Sequence, residues 1–293
     1  MDYQDHKIDF TPSKEFFIGI DSDGCVFDSM EVKHNDCFCS AFVNHMGLQS
    51  ISKIAREVWA FVNLYSRSRG INRFLALIEA LDLLREREDV KERGVTIYEL
   101  NGVREWIKRE PKLGMITLEK ELENNSDPDL LLAMEWSKEV NENVKKIVRG
   151  VGPFTYVPKT LEAIKKNADI MVVSQTPVKN IIDEWTEHNI VQYADFISGQ
   201  EMGTKAMHLK IAAKGKYENT KILMLGDAPG DYLAAKENNL LFFPIIPGKE
   251  DQSWKELYTR GLKKFFDGDY QGSYEKNQYD LFMAALPERP NWK

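Results

Sequence analysis

FFIGIDSDGCVFDS, Phe16 to Ser29, passes from a short apolar run straight into a turn that carries two carboxylates. Five residues are too few for a helix and enough for a strand. The Asp-Ser-Asp-Gly that closes them is a turn signal, so the stretch reads as a buried strand running into a loop. The same pattern recurs downstream in DIMVVS (Asp169 to Ser174) and KILMLGD (Lys221 to Asp227). Shorter versions are DFIS (Asp195 to Ser198) and LFFPI (Leu241 to Ile245). Between them lie helical patterns at Pro158–Lys166, Val178–His188, Lys205–Lys214 and Gly230–Glu237. Fully apolar strands alternating with helices predict a parallel sheet covered on both faces. Residues 1–27 and 151–245 together are expected to form one α/β, doubly wound, Rossmann-like core.

Residues 28–150 read differently. Long amphipathic patterns such as Ile71–Glu86 and Pro128–Val148 dominate, and no strand pattern interrupts them. Asp127 before Pro128 is an N-cap followed by a proline in the first helical position. This interval is expected to be an all-helical domain inserted after the first strand. The run REREDVKER, Arg85 to Arg93, alternates in sign and reads as a solvated helix end. Residues 246–293 carry aromatic-rich helical patterns at Trp254–Phe266 and Ser273–Leu286. Trp254, Tyr258, Phe265 and Phe266 read as packing residues, so this extension should lie on the core or on a partner, and it is a candidate for self-association.

The 293 residues carry 39 Lys+Arg against 46 Asp+Glu, a formal net charge of −7. That balance argues against a nucleic-acid backbone binder, which needs a basic surplus. No apolar run approaches the roughly 18 residues of a membrane span. The opening residues MDYQDHKIDFTPSKE lack the apolar core of a signal peptide. Three cysteines (Cys25, Cys37 and Cys39) make no disulfide framework and no metal set, which fits a reducing, cytoplasmic setting. The expected partner is a small molecule, with neither nucleic acid nor membrane involved.

Ligands of open α/β sheets bind beyond the carboxyl ends of the strands. The first strand delivers Asp21 and Asp23 there. The second delivers Ser174, and then Gln175, at a helix start whose N–H groups suit an anion. The third long run delivers Asp227 and, four residues on, Asp231. Converging carboxylates repel one another unless a cation joins them, and Mg²⁺ with its all-oxygen shell is the natural choice. A cation, a hydroxyl and a helix terminus describe a phosphate site.

These residues carry a family resemblance. DSDGCVFDS (Asp21 to Ser29), VVS (Val172 to Ser174), GTK (Gly203 to Lys205) and MLGDAPGD (Met224 to Asp231) resemble the four motifs of the haloacid dehalogenase superfamily. The insertion resembles that of its members with a helical cap, such as phosphoglycolate phosphatase and β-phosphoglucomutase. The resemblance implies that Asp21 is a nucleophile forming an aspartyl-phosphate and Asp23 a general acid and base. It implies that Asp21, the backbone carbonyl of Asp23, and Asp227 hold Mg²⁺, with Asp231 a further ligand or a support. Ser174 would bind phosphoryl oxygens and Lys205 would neutralise them. Lys205 lacks the usual following proline. Its competitor Lys210 stands 17 residues before Asp227 where Lys205 stands 22, and the longer gap fits better. Cys25 occupies a position where threonine is usual.

The implied activity is Mg²⁺-dependent hydrolysis of a small phosphorylated metabolite. A phosphomutase, or a catalytically silent domain that binds a phosphorylated ligand, is the alternative. Within the insertion, Arg67, Arg69 and Arg73 surround Gly70. They read either as a clamp for a second anionic group of the substrate or as a solvated interhelical turn. Hinges are expected near Phe27–Ser29 and Gly150–Pro153.

Overall fold

A computed structural model describes residues 10–292, so the reading of residues 1–9 falls outside the described part of the chain. The chain divides into two compact units. One takes residues up to Asp28 together with Val151–Leu286; the other takes Ser29–Gly150 and the residues from Pro287 onward.

The first unit is built on five strands: β1 (Phe16–Ile20), β2 (Ala168–Val173), β3 (Phe196–Ser198), β4 (Ile222–Gly226) and β5 (Leu241–Pro244). All pairings are parallel, in the order β3-β2-β1-β4-β5. This is the doubly wound, Rossmann-like α/β fold that the apolar runs predict. Alternation along the strands sorts the core into two layers. Ile18, Ile20, Ile170, Val172, Leu223 and Leu225 face one side with Leu161, Ile181 and Trp185. Phe17, Met171, Val173, Met224 and Phe242 face the other with Leu209 and Ala235. Each fully buried side chain of this size contributes roughly 1.5–3 kcal/mol, which is why runs without a polar face form strands here.

A carboxylate of β2 is buried here too. Asp169 of β2 is buried and accepts hydrogen bonds from the Ser13 and Lys14 backbone N–H groups, both at 2.9 Å, and from the Tyr217 hydroxyl at 2.6 Å. It thereby ties the segment before β1 to the neighbouring strand.

Residues 246–286 belong to the same unit and split over both layers. Trp254 of helix Glu250–Glu256, with Leu257, Leu262 and Phe265, joins the first; Phe282 of helix Ser273–Ala285 joins the second. The expected helix Trp254–Phe266 lies within a continuous helical run, Glu250 to Phe266, that widens to π-helical geometry over Leu257–Gly261, and Tyr258 is exposed instead of packed in the core. Among the described residues no helix is long and apolar enough to cross a membrane.

The second unit contains helices and no strand among its described residues. Its longest helix, Pro128–Ile147, starts where Asp127 accepts from the N–H groups of Asp129 (2.8 Å) and Leu130 (3.3 Å). Trp59, Phe74, Trp106 and Trp136 fill its core. The final residues return to this unit: the Trp292 ring meets Phe61 at 5.2 Å and lies 4.9 Å from the Arg87 guanidinium. Arg87 also pairs with Asp89 and Glu57. The charged run Arg85–Arg93 is therefore not uniformly solvated, because its middle arginine is buried.

Candidate active site

The chain order places β1 and β4 side by side, with the connection from β3 crossing over to β4, and the carboxyl ends of this pair form the sheet's switch point. Ile20 pairs with Leu225, and the Asp21 N–H still donates to the Leu225 carbonyl at 3.0 Å. Asp21 is therefore held by the last rung of the ladder. The chain then coils tightly: the Ser22 carbonyl accepts from Val26 (2.8 Å) and Phe27 (3.3 Å), and the Ser22 N–H donates to Asp21 Oδ1 at 2.8 Å. Gly24 takes φ 73°, a left-handed conformation that a side chain would strain.

On β4 the last residue must also be glycine. A Cβ at Gly226 would lie 2.3 Å from Cβ of Asp231. Its absence lets helix Pro229–Glu237 start close against the strand end, with Asp231 Oδ2 accepting the Ala228 N–H at 3.0 Å. One oxygen from each of Asp21, Asp227 and Asp231 then lies within 4.8 Å of the others, and all three residues are buried. Lys205, first residue of helix Lys205–Ala212, brings Nζ to 2.8 Å from Asp21 Oδ2 and 2.6 Å from Asp231 Oδ1. Lys210 is exposed.

The electrostatics follow from that geometry. Burial pushes the Asp21 carboxyl well above its ordinary range, Asp231 and Asp227 push the same way, and the Lys205 ammonium opposes them. Burial would lower the Lys205 ammonium, but Asp21 and Asp231 more than restore it and it stays charged. If all three were ionised, the carboxylates would outnumber the Lys205 ammonium, and that crowding is one reason the Asp21 carboxyl is pushed up. At separations of 4.8 Å or less, each pair of ionised carboxylates would cost at least roughly 3 kcal/mol at an effective dielectric near 20. A hard divalent cation with oxygen ligands fits this donor set, and a soft metal does not. No His or Cys belongs to the triplet, and burial together with the Asp227 charge keeps the nearby Cys25 thiol protonated.

Asp23 stands apart from the triplet. Its Oδ2 accepts the Thr176 hydroxyl at 2.9 Å, which ties the loop after β1 to the loop after β2. Ser174, just past β2, is buried, and its Oγ accepts the Thr176 N–H at 3.1 Å. The helix start behind it is more occupied than the sequence reading expects: the Val178 N–H is taken by the Glu201 carboxylate at 3.1 Å. Gln175 turns its amide to the Gly203 carbonyl at 2.9 Å, bracing the turn that precedes Lys205.

The three arginines belong to the other unit. Arg69 is buried and donates to the Leu64 carbonyl at 2.9 Å. Arg73 donates to Ser137 Oγ and Asn141 Oδ1, both at 2.9 Å, with its guanidinium 5.1 Å from the Phe38 ring. Burial lowers its pKa to about 10. The Arg67 side chain is exposed, and its N–H donates to the Pro287 carbonyl at 3.4 Å. Sequence reasoning passed over Thr176 and took Trp254 only as packing. Both make their bonds to partners more than 150 positions away, and no local spacing encodes such contacts.

Fold and site together define an α/β protein with a buried carboxylate cluster at the switch point and a compact helical unit that follows the first strand in the chain. The model of the haloacid dehalogenase-like hydrolase family matches residues 86–245, more than half of the chain, and the chain belongs to that family. The match begins after Asp21 and takes in Ser174, Lys205, Asp227 and Asp231. Among solved structures, a haloacid dehalogenase-like hydrolase from Bacteroides fragilis superposes with a TM-score of 0.51 at 17% identity, over 82% of this chain and 93% of that one. It shows the same fold. A predicted phosphoglycolate phosphatase from Haemophilus somnus gives 0.47 at 15% identity over 80% and 86% of the two chains. A protein from Thermotoga maritima assigned as a β-phosphoglucomutase gives 0.44 at 12% over 83% and 99%. No curated protein sequence matches significantly.

Proposed function

We propose that the protein is a Mg²⁺-dependent phosphatase that hydrolyses a small phosphorylated metabolite through an aspartyl-phosphate on Asp21. The observation that carries this reading is the Asp21 carboxylate, one oxygen against the Lys205 ammonium, grouped with Asp227 and Asp231 at the end of β1 and β4. Asp21, Asp227, Asp231 and the Asp23 backbone carbonyl would hold Mg²⁺, which would supply positive charge to the transferring phosphoryl oxygens.

In the first step an Asp21 carboxylate oxygen forms a bond to phosphorus as the ester P–O bond breaks. Asp23, protonated at that moment, gives its proton to the departing oxygen. In the second step water attacks phosphorus, Asp23 takes the water's proton, and inorganic phosphate leaves with the Asp21 carboxylate restored. Ser174 binds the phosphoryl oxygens, with Gln175 beside it bracing the turn before Lys205, and Lys205 stabilises their charge where preorganised electrostatics matter most. The Thr176 hydroxyl holds Asp23 in place for both proton transfers.

The helical unit corresponds to the cap of this reading, with hinges near Phe27–Ser29 and Gly150–Pro153. Arg67, Arg69 and Arg73 take a second anionic group of the substrate. Arg73 supports this assignment best, because its hydrogen-bond partners are neutral oxygens that leave its charge unbalanced.

The test is release of inorganic phosphate from 4-nitrophenyl phosphate and a panel of metabolite phosphates. Turnover should require Mg²⁺, stop in EDTA, and vanish in Asp21→Asn. Conversion of a sugar phosphate to its isomer without free phosphate would reassign the protein as a mutase. Phosphate binding without turnover of any ester would leave a silent domain.

A further inference from the structure

The chain has six tryptophans, and five of them are fully buried: Trp59, Trp106, Trp136, Trp185 and Trp254. An indole N–H is a donor only, and leaving it unpartnered in a core costs about 1–3 kcal/mol. The helical unit tolerates this three times, since Nε1 of Trp59, Trp106 and Trp136 has no partner. Both buried tryptophans of the α/β unit do have partners, and both partners lie in the same four-residue loop. Trp185 Nε1 donates to Ser22 Oγ at 3.0 Å, and Trp254 Nε1 donates to the Cys25 carbonyl at 2.6 Å. These residues come from helices Val178–Glu187 and Glu250–Glu256, which lie outside the four motif stretches.

We infer that Trp185 and, from the C-terminal extension, Trp254 are positioning residues that hold the loop Ser22–Cys25 and through it the Asp21 and Asp23 groups. The inference rests on the phosphatase reading for its kinetic consequence and on the two indole bonds for its geometry. Ser22 is the link to Asp21: its backbone N–H donates to Asp21 Oδ1 at 2.8 Å while its hydroxyl is fixed by Trp185. Cys25 is the link on the other side, following Gly24 with its left-handed backbone. Pinning the carbonyl of residue 25 limits how far the coil after Asp23 can unwind.

The helix carrying Trp254 makes a second anchorage. Asp251 Oδ1 accepts the Thr155 N–H at 2.7 Å, close to where Phe154 N–H donates to the Val26 carbonyl at 3.0 Å. Glu250–Glu256 therefore grips both chain segments that lead to and from the inserted unit. The extension beyond β5 is on this account part of the catalytic architecture.

The experiment compares wild type, Trp254→Phe, Trp185→Phe and, as a control with an unpartnered indole, Trp106→Phe. Two readouts are taken: steady-state hydrolysis of 4-nitrophenyl phosphate with Mg²⁺, and hydrogen–deuterium exchange of the amides in 22–27. A remote misplacement of reacting groups by a fraction of an ångström lowers kcat about tenfold or more while KM stays within about twofold. That split, with about tenfold faster exchange in 22–27, is expected for Trp254→Phe and Trp185→Phe and not for Trp106→Phe. Unchanged kcat together with unchanged exchange in Trp254→Phe would overturn the inference. A wild-type protein that hydrolyses no ester would overturn the phosphatase reading instead, and the exchange data would still decide the pinning. If Trp254→Phe does not fold, benzothienylalanine placed at 254 keeps the bicyclic shape, lacks the N–H, and gives the same readouts.

Discussion

Replacing Lys205 with methionine removes an ammonium that contacts two carboxylates of the cluster and keeps most of its volume. Its Nζ lies 2.8 Å from Asp21 and 2.6 Å from Asp231, and the three side chains are only 18%, 8% and 0% exposed. Each contact is worth roughly 6 kcal/mol of gross attraction at an effective dielectric near 20. Desolvation of the charges cancels most of this, and breaking a buried pair by deleting one partner typically costs about 3–5 kcal/mol. For a unit of this size such a loss lowers Tm by roughly 10 °C. The measurement is thermal and urea unfolding of wild type and Lys205→Met in EDTA at neutral pH. Adding Mg²⁺ should then recover more stability in the variant than in wild type, because the cation answers a larger uncompensated charge. Hydrolysis should remain about 10²–10³-fold below wild type even in Mg²⁺, since the ammonium also serves the transition state. A variant within about 1 kcal/mol of wild type in EDTA would refute the argument, because a loss that small is ordinary for an exposed pair.

Other consequences are equally direct. For Asp169, burial pushes the carboxyl up but its bonds from Ser13, Lys14 and Tyr217 outweigh this, and its pKa lies below the ordinary value. Its stabilisation is therefore full above the unfolded value near 3.9 and is lost as pH falls through the lower folded value. Asp169→Asn should cost about 1–3 kcal/mol at pH 7, and its difference from wild type should shrink below pH 4; a pH-independent difference would contradict the sign. Trp292→Ala should destabilise the helical unit by about 1–2 kcal/mol through lost ring packing and cation–π contact, read as a shift in its unfolding midpoint. Arg73→Met should raise KM for the best dianionic metabolite of the panel by more than for 4-nitrophenyl phosphate. Equal changes would discredit an anion contact at that residue.

The sheet was legible because its strands are buried on both faces, which leaves runs such as FFIGI and ILMLG with no polar interruption. Strand ends were less so: Ser174 and Asp227 lie just past the last ladder residues, where one backbone bond can persist without a strand. Asp21, Asp227 and Asp231 could be placed together from the order of strands alone, because parallel topology delivers every strand's carboxyl end to one edge. What reading could not supply were bonds between distant positions. Thr176 to Asp23, Trp185 to Ser22 and Trp254 to Cys25 join residues 153, 163 and 229 positions apart. The Glu201 carboxylate that occupies the Val178 N–H is of the same kind, since nothing near Val178 announces a cap supplied by the loop after β3. The aromatic extension showed its apolarity in sequence but not its destination, which depends on which sheet face each helix meets.

An Asp21 carboxylate oxygen is the proposed acceptor of the phosphoryl group. Wild-type protein mixed with 4-nitrophenyl phosphate and Mg²⁺ should be quenched in acid within one turnover, digested, and analysed by peptide mass spectrometry. One phosphoryl group should appear on the peptide containing Asp21, labile to hydroxylamine and absent from Asp21→Asn. Turnover with no labelled peptide at the quench times that capture a burst, or a label carried by a different residue, would contradict it.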